Sequence, residues 1–80
     1  MAIKESVALR IQSLCKARGL TLNHLARLCE ITPSTVYSLM DSSRKDVSIT
    51  TLKKICDGLG ITLAEFFDSP EFHFLDVEPK

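Results

Sequence analysis

Tryptophan is absent from the 80 residues, tyrosine occurs once, and glycine, proline and cysteine occur three times each. So little glycine and proline excludes collagen-like and linker-type chains. Cys15, Cys29 and Cys56 are odd in number and no two are close in sequence, which argues against a disulfide scaffold and a CxxC metal site. No apolar run approaches the ~18–20 residues of a membrane span. The amino terminus, Met-Ala-Ile-Lys-Glu-Ser, lacks the apolar stretch of a secretory signal, so the chain is expected in the cytoplasm. Net charge is missing too, with ten basic and ten acidic residues. What remains is ordinary globular composition, 45% hydrophobic and 25% charged. That suffices for one domain but not for a second core. A chain this short buries only roughly 60% of its unfolded surface, so no large enclosed cofactor is expected.

Zero net charge hides an uneven distribution. Up to Cys56 there are nine basic residues (Lys4, Arg10, Lys16, Arg18, Arg27, Arg44, Lys45, Lys53, Lys54) and four acidic ones, a surplus of five positive charges. From Asp57 onward there are six acids and Lys80 alone, a surplus of five negative charges. A basic body with an acidic end is compatible with a polyanionic partner.

Apolar spacing predicts five short helices and no core strand. Val7, Ile11, Leu14 and Cys15 form one stripe of a helix over Lys4–Arg18, which Gly19 stops. Thr21 is the N-cap of a second helix, Leu22–Cys29, with Leu20 and Leu25 at staple spacing. Thr32 caps a third, with Pro33 in its first turn and Val36, Leu39 and Met40 as its stripe. Only Glu30 and Ile31 separate these two helices, so they must cross steeply. Residues 41–46 read as a polar loop. Ser48 opens a fourth helix, striped by Ile49, Leu52, Ile55, Cys56 and Leu59 and closed by Gly60. Thr62-Leu63-Ala64-Glu65 is a capping box opening a fifth, which ends near Phe67 before Pro70. The apolar-rich tail from Glu71 is ambiguous between strand, extra helical turn and disorder.

Catalytic signatures are missing: there is no GxSxG, HExxH, GxGxxG or Walker sequence. His24 has no ligand-type partner at i+3 or i+4, so it reads as a surface histidine and no metal is expected. The cysteines fall on apolar stripes and read as buried, reduced thiols acting as small hydrophobes.

The pattern resembles the phage repressor/Cro family of transcriptional regulators, the XRE-type helix-turn-helix proteins. The resemblance runs from about Ala8 to Phe67. Its anchors are Leu25-Ala26, Ile31-Thr32-Pro33-Ser34-Thr35-Val36, Leu39, Thr51-Leu52-Lys53-Lys54-Ile55 and Leu59 to Phe67. It implies an all-α, compact five-helix lambda-repressor-like DNA-binding domain over residues 1–69, with 70–80 as a tail that can serve dimerisation. It also implies that the helix at 33–40 enters the major groove, about 12 Å wide. Base reading then falls to Pro33, Ser34, Thr35, Tyr37 and Ser38. Phosphate contact falls to Thr21 and Asn23 at the start of helix two, and to Ser42, Ser43, Arg44 and Lys45 in the following loop. Two positions depart from the family pattern. Glu30 stands where the turn commonly has Gly, at a cost of order 1 kcal/mol if left-handed. Leu22 stands where Gln often clamps the DNA backbone, leaving Thr21 and Asn23 as substitutes.

The expected partner is double-stranded DNA bound by a homodimer, the acidic C-terminal end being available to a protein partner. Phe66, Phe67, Phe72, Phe74 and Leu75 place five large apolar residues in the last fifteen, more than the monomer is expected to bury. A two-fold contact through helix five and the tail is therefore expected. Two other readings stay open: an antitoxin that also binds a toxin through the acidic tail, and a protein-interaction module that keeps the fold without DNA contacts. Neutral net charge and Leu22 favour the last; the basic first part of the chain and Arg44-Lys45 disfavour it.

Overall fold

The computed structural model describes residues 3–41, 43 and 46–73. Five helices follow one another: α1 (Ile3–Arg18), α2 (Leu22–Leu28), α3 (Pro33–Met40), α4 (Ile49–Leu59) and α5 (Leu63–Phe67). A single 3-10 turn, Pro70–Phe72, follows and packs against α1. No strand occurs among the described residues, so the fold is all-α as expected.

The core is built from the stripes. Val7, Ile11, Leu14 and Cys15 of α1 meet Leu25, Ala26 and Cys29 around α2, Val36 and Leu39 of α3, Leu52, Ile55, Cys56 and Leu59 of α4, and Phe66 of α5. Each buried large aliphatic or aromatic side chain contributes about 1.5–3 kcal/mol relative to exposure. Four helices open on a hydroxyl. Thr21, Thr32, Ser48 and Thr62 accept from the backbone N–H of His24, Thr35, Thr51 and Glu65 at 3.1, 3.3, 3.4 and 3.0 Å. The Glu65 carboxylate completes the capping box, accepting from the Thr62 N–H at 3.0 Å. Such caps contribute about 1 kcal/mol each.

Helix ends are less uniform. α1, α2 and α4 finish with the same pair of backbone bonds, a six-to-one and a tighter bond inside it: Leu20 to Cys15 and Gly19 to Lys16, Ile31 to Ala26 and Glu30 to Arg27, Ile61 to Cys56 and Gly60 to Asp57. The motif needs a left-handed residue. Gly19 (φ 65°) and Gly60 (φ 71°) supply it freely, whereas after α2 it is Glu30, at φ 56°. Three cations of α1 reach the ends of other helices. Lys4 Nζ donates to the carbonyls of Ser38 (3.0 Å) and Asp41 (2.9 Å) at the end of α3. Arg10 donates to Phe66 (2.8 Å) and Glu65 (2.9 Å) in α5, its guanidinium 5.9 Å from the Phe66 ring centroid. Arg18 donates to Leu59 (2.8 Å) at the end of α4. A cation at a helix C-terminus also opposes the negative end of the helix dipole.

Three expectations need correction. Ile49, expected on the stripe of the fourth helix, is 63% exposed at the first position of α4, ahead of the turn that meets the core. α2 stops at Leu28, with Cys29 as its C-cap. Phe66 is not surplus apolar surface: it is 0% exposed, its ring centroid lying 5.1 Å from Phe67 and 6.0 Å from Phe72. Phe67 and Phe72 are half-buried with centroids 4.9 Å apart. The turn at Pro70 folds Phe72 back onto this cluster, burying more within the monomer than a tail running outward would. Phe74 and Leu75 lie outside the described residues.

All three cysteines are free and buried. Burial pushes their thiols up from the ordinary 9.0, and Cys29 reaches about 11, with the neighbouring Cys15 and Cys56 adding to the effect. Cys29 also sets the spacing of α2 against α4. A Cβ on Gly58 would lie 2.5 Å from Cys29 Sγ and 3.0 Å from its Cα, so only glycine fits there.

Candidate nucleic-acid interface

α2 and α3 pack on each other, joined by the tight turn at Glu30. Thr21 caps α2 with its hydroxyl oxygen, and the Leu25 N–H bonds to the Thr21 carbonyl. The helix therefore presents the N–H groups of Leu22 and Asn23 beyond its internal ladder, at the positive end of its dipole. Thr21 and Asn23 are exposed; Leu22 is half-buried against the core and offers no polar group.

On α3, Pro33 and Ser34 are exposed, Thr35 and Ser38 are half-buried, and Tyr37 is 51% exposed. Thr32, Ser34 and Thr35 form a hydroxyl cluster at the start of the helix, Thr32 Oγ1 lying 3.2 Å from Ser34 Oγ and 2.8 Å from Thr35 Oγ1. Thr35 faces a groove of about 490 Å³ toward α4, lined also by Thr51 and Lys54. Tyr37 points the other way: its phenol donates to Asn23 Oδ1 at 3.3 Å, tying the exposed side of α3 to the start of α2. Beyond α3, the Asp41 carboxylate accepts from both the N–H (2.9 Å) and the hydroxyl (2.7 Å) of Ser43, starting the loop with a fixed turn. Ser42, Arg44 and Lys45 lie outside the described residues. Thr21, Asn23, Pro33, Ser34 and Tyr37 are thus the exposed members of the expected set on the two helices.

A Cro/C1-type helix-turn-helix DNA-binding domain profile matches residues 10–71. The chain belongs to that family. The protein of "Crystal structure of the prophage Lp1 protein 11" superposes with a TM-score of 0.81 and 33% identity, over 94% of this chain and all of that one. Control protein C.MunI from Mycoplasma sp. is 46% identical over 37 residues, 46% of this chain and 50% of that protein. The chain thus aligns with half the length of that curated relative.

Within this Cro/C1-type domain, several working residues escape a reading by sequence. Thr32 joins the hydroxyl cluster as well as capping α3. Lys4 is only 4% exposed despite its charge, and anchors the end of α3 from α1. Its cue is weak: a cation among the apolar positions of the first turn. Arg27 is an exposed cation one helical turn beyond Asn23, a spacing legible in sequence. Lys53, by contrast, pairs with Asp57 one turn along α4. No described helix is long and apolar enough to cross a membrane. Among the described residues no group of three or more His, Cys, Asp or Glu side chains is placed to hold a metal ion.

Proposed function

We propose that this domain is a sequence-specific transcriptional regulator that reads DNA with α3 and acts as a repressor in the cytoplasm. The observation that carries the reading is the continuous polar surface of α2's start and α3's outer side, joined by the Tyr37–Asn23 hydrogen bond. Pro33, Ser34, Thr35, Tyr37 and Ser38 meet base edges, and Thr21, Asn23, Ser42, Ser43, Arg44 and Lys45 meet phosphates. Hydroxyls donate and accept alike, so direct discrimination is modest, and DNA shape contributes the rest. A domain seated in the major groove over a promoter blocks access to it, which makes repression the natural outcome.

One copy makes few base contacts, so we propose a homodimer on a two-fold site, with reading helices about 34 Å apart. Half-buried Phe67 and Phe72 leave apolar surface at the α5 end, which the acidic Asp68 and Glu71 keep away from phosphates. Removing residues 74–80 tests the tail's share in assembly: sedimentation should show weaker self-association and palindrome binding should fall. Undiminished dimerisation confines the interface to the helices.

Selection from a random DNA library tests the whole reading. An enriched palindrome is expected; no enrichment at low salt rejects it. Replacing Arg44 and Lys45 by Ala should weaken binding to all sequences alike and shrink the slope of log K against log salt by about 0.9 per lost phosphate contact. An unchanged slope returns that pair to solvent.

A further inference from the structure

Tyr37 is the largest exposed side chain on α3, yet its hydroxyl is already engaged, donating to Asn23 Oδ1 across the two helices. We propose that Tyr37 is a positioning residue for a DNA phosphate contact made by Asn23. The proposal rests on the DNA-reading function above and assigns its atoms. An asparagine amide carries one acceptor and one NH2 donor. With Oδ1 taken by the phenol, the group left outward is the NH2, which fits a phosphate oxygen and nothing lacking an acceptor. Without Tyr37 the amide is free to turn its oxygen toward the phosphate, where two acceptors repel.

The location suits this role. Asn23 is exposed in the first turn of α2, on the surface it shares with the outer side of α3 through Tyr37. The neighbouring Leu22 is turned into the core and supplies no polar clamp. A hydrogen bond between two exposed side chains contributes little to folding, because water competes for both partners. It gains strength when DNA excludes that water. The bond also couples a backbone clamp on α2 to the helix that reads bases, setting the depth of α3 in the groove. The ring keeps an apolar edge for the groove, while its hydroxyl serves the clamp.

The test is Tyr37→Phe, which keeps the ring and loses only the hydroxyl, measured on the selected operator and on unrelated DNA. Affinity should fall roughly three- to tenfold on both, the span of one net hydrogen bond. The salt slope and base preferences should stay unchanged, because a neutral donor releases no counterion. In an Asn23→Ala background, Tyr37→Phe should add nothing. On operators carrying single methylphosphonate substitutions, its effect should vanish at one phosphate per half-site. That last readout does not respond to a merely structural role, and equal urea midpoints for Tyr37→Phe and the parent exclude a folding effect. An altered base preference at one position assigns the Tyr37 hydroxyl itself to a base edge and overturns the proposal while leaving DNA recognition intact. So does full affinity on both DNAs, or additive effects of the two substitutions. Failure of the unaltered protein to bind any DNA at low salt overturns the functional reading and this proposal together.

Discussion

α2 and α4 end on the same backbone bonds but differ in what secures them. α4 closes on Gly60, for which φ 71° is unstrained, and Arg18 caps its Leu59 carbonyl. α2 closes on Glu30 at φ 56°, where a Cβ is crowded, and none of the three α1 cations that secure the other helices reaches it. It is placed instead by contact, Cys29 lying against Gly58. The helix that opens the candidate interface is thus located by close packing, while α3, α4 and α5 are pinned by charge from α1. Among the described residues, the one left-handed residue that is not glycine therefore sits beside the candidate interface, where the helix-stop motif itself demands that conformation.

Breaking the packing contact should have the largest effect. Gly58→Ala puts a methyl group into Cys29 Sγ and close to backbone atoms that cannot move away cheaply. A loss of about 2–3 kcal/mol is expected, read as a lower urea midpoint at unchanged m value. Arg10→Met then tests the charged pins. It removes donors to Phe66 and Glu65 while keeping the aliphatic packing. The expected loss is about 1.5 kcal/mol, near the low end for charged hydrogen bonds because the site is partly wet. An unchanged midpoint would show that the α5 carbonyls are equally well served by water.

Reciprocal exchanges sharpen the comparison. Glu30→Gly should stabilise by about 0.5–1 kcal/mol and Gly60→Glu should destabilise by about 1 kcal/mol, since only the left-handed residue changes in a shared motif. If both changes are neutral, φ strain is not what distinguishes the two ends. The smallest effect at neutral pH belongs to the thiols. Their raised native pKa values mean the folded state holds protons that the unfolded state releases. Stability from this source is therefore complete below pH 9 and declines as pH rises toward about 11, the Cys29 value. Urea midpoints across that range should fall, and fall less steeply in Cys29→Ala, measured against that variant's own value at pH 7.

Nearly every local feature of the fold is legible in the chain. Caps at Thr21, Thr32, Ser48 and Thr62 and the stripes of α1, α3 and α4 depend on neighbours within one or two turns, and the structure realises them except at Ile49, which is exposed. Glu30 was legible too, as a residue standing at a left-handed position. The features that escape join distant segments. Lys4 to Ser38, Arg10 to Phe66 and Arg18 to Leu59 span 34, 56 and 41 positions, and a cation carries no local mark of which carbonyl it meets. Gly58 carries no local mark of its role, because the atoms a Cβ would meet lie at the end of α2. At the candidate interface, sequence places Ser34, Tyr37 and Ser38 outward; Ser34 and Tyr37 are exposed, whereas Ser38 is half-buried. It did not disclose that the Tyr37 hydroxyl reaches Asn23, fourteen positions earlier, because that requires the crossing geometry of two helices.

The three α1 cations have a further consequence, for how the domain opens. Lys4, Arg10 and Arg18 hold the ends of α3, α5 and α4 respectively. A motion that detaches α1 therefore releases three helix ends at once, and none of those helices leaves without breaking its own tie to α1. Opening is channelled through one element, which joins elements far apart in the chain into one cooperative unit.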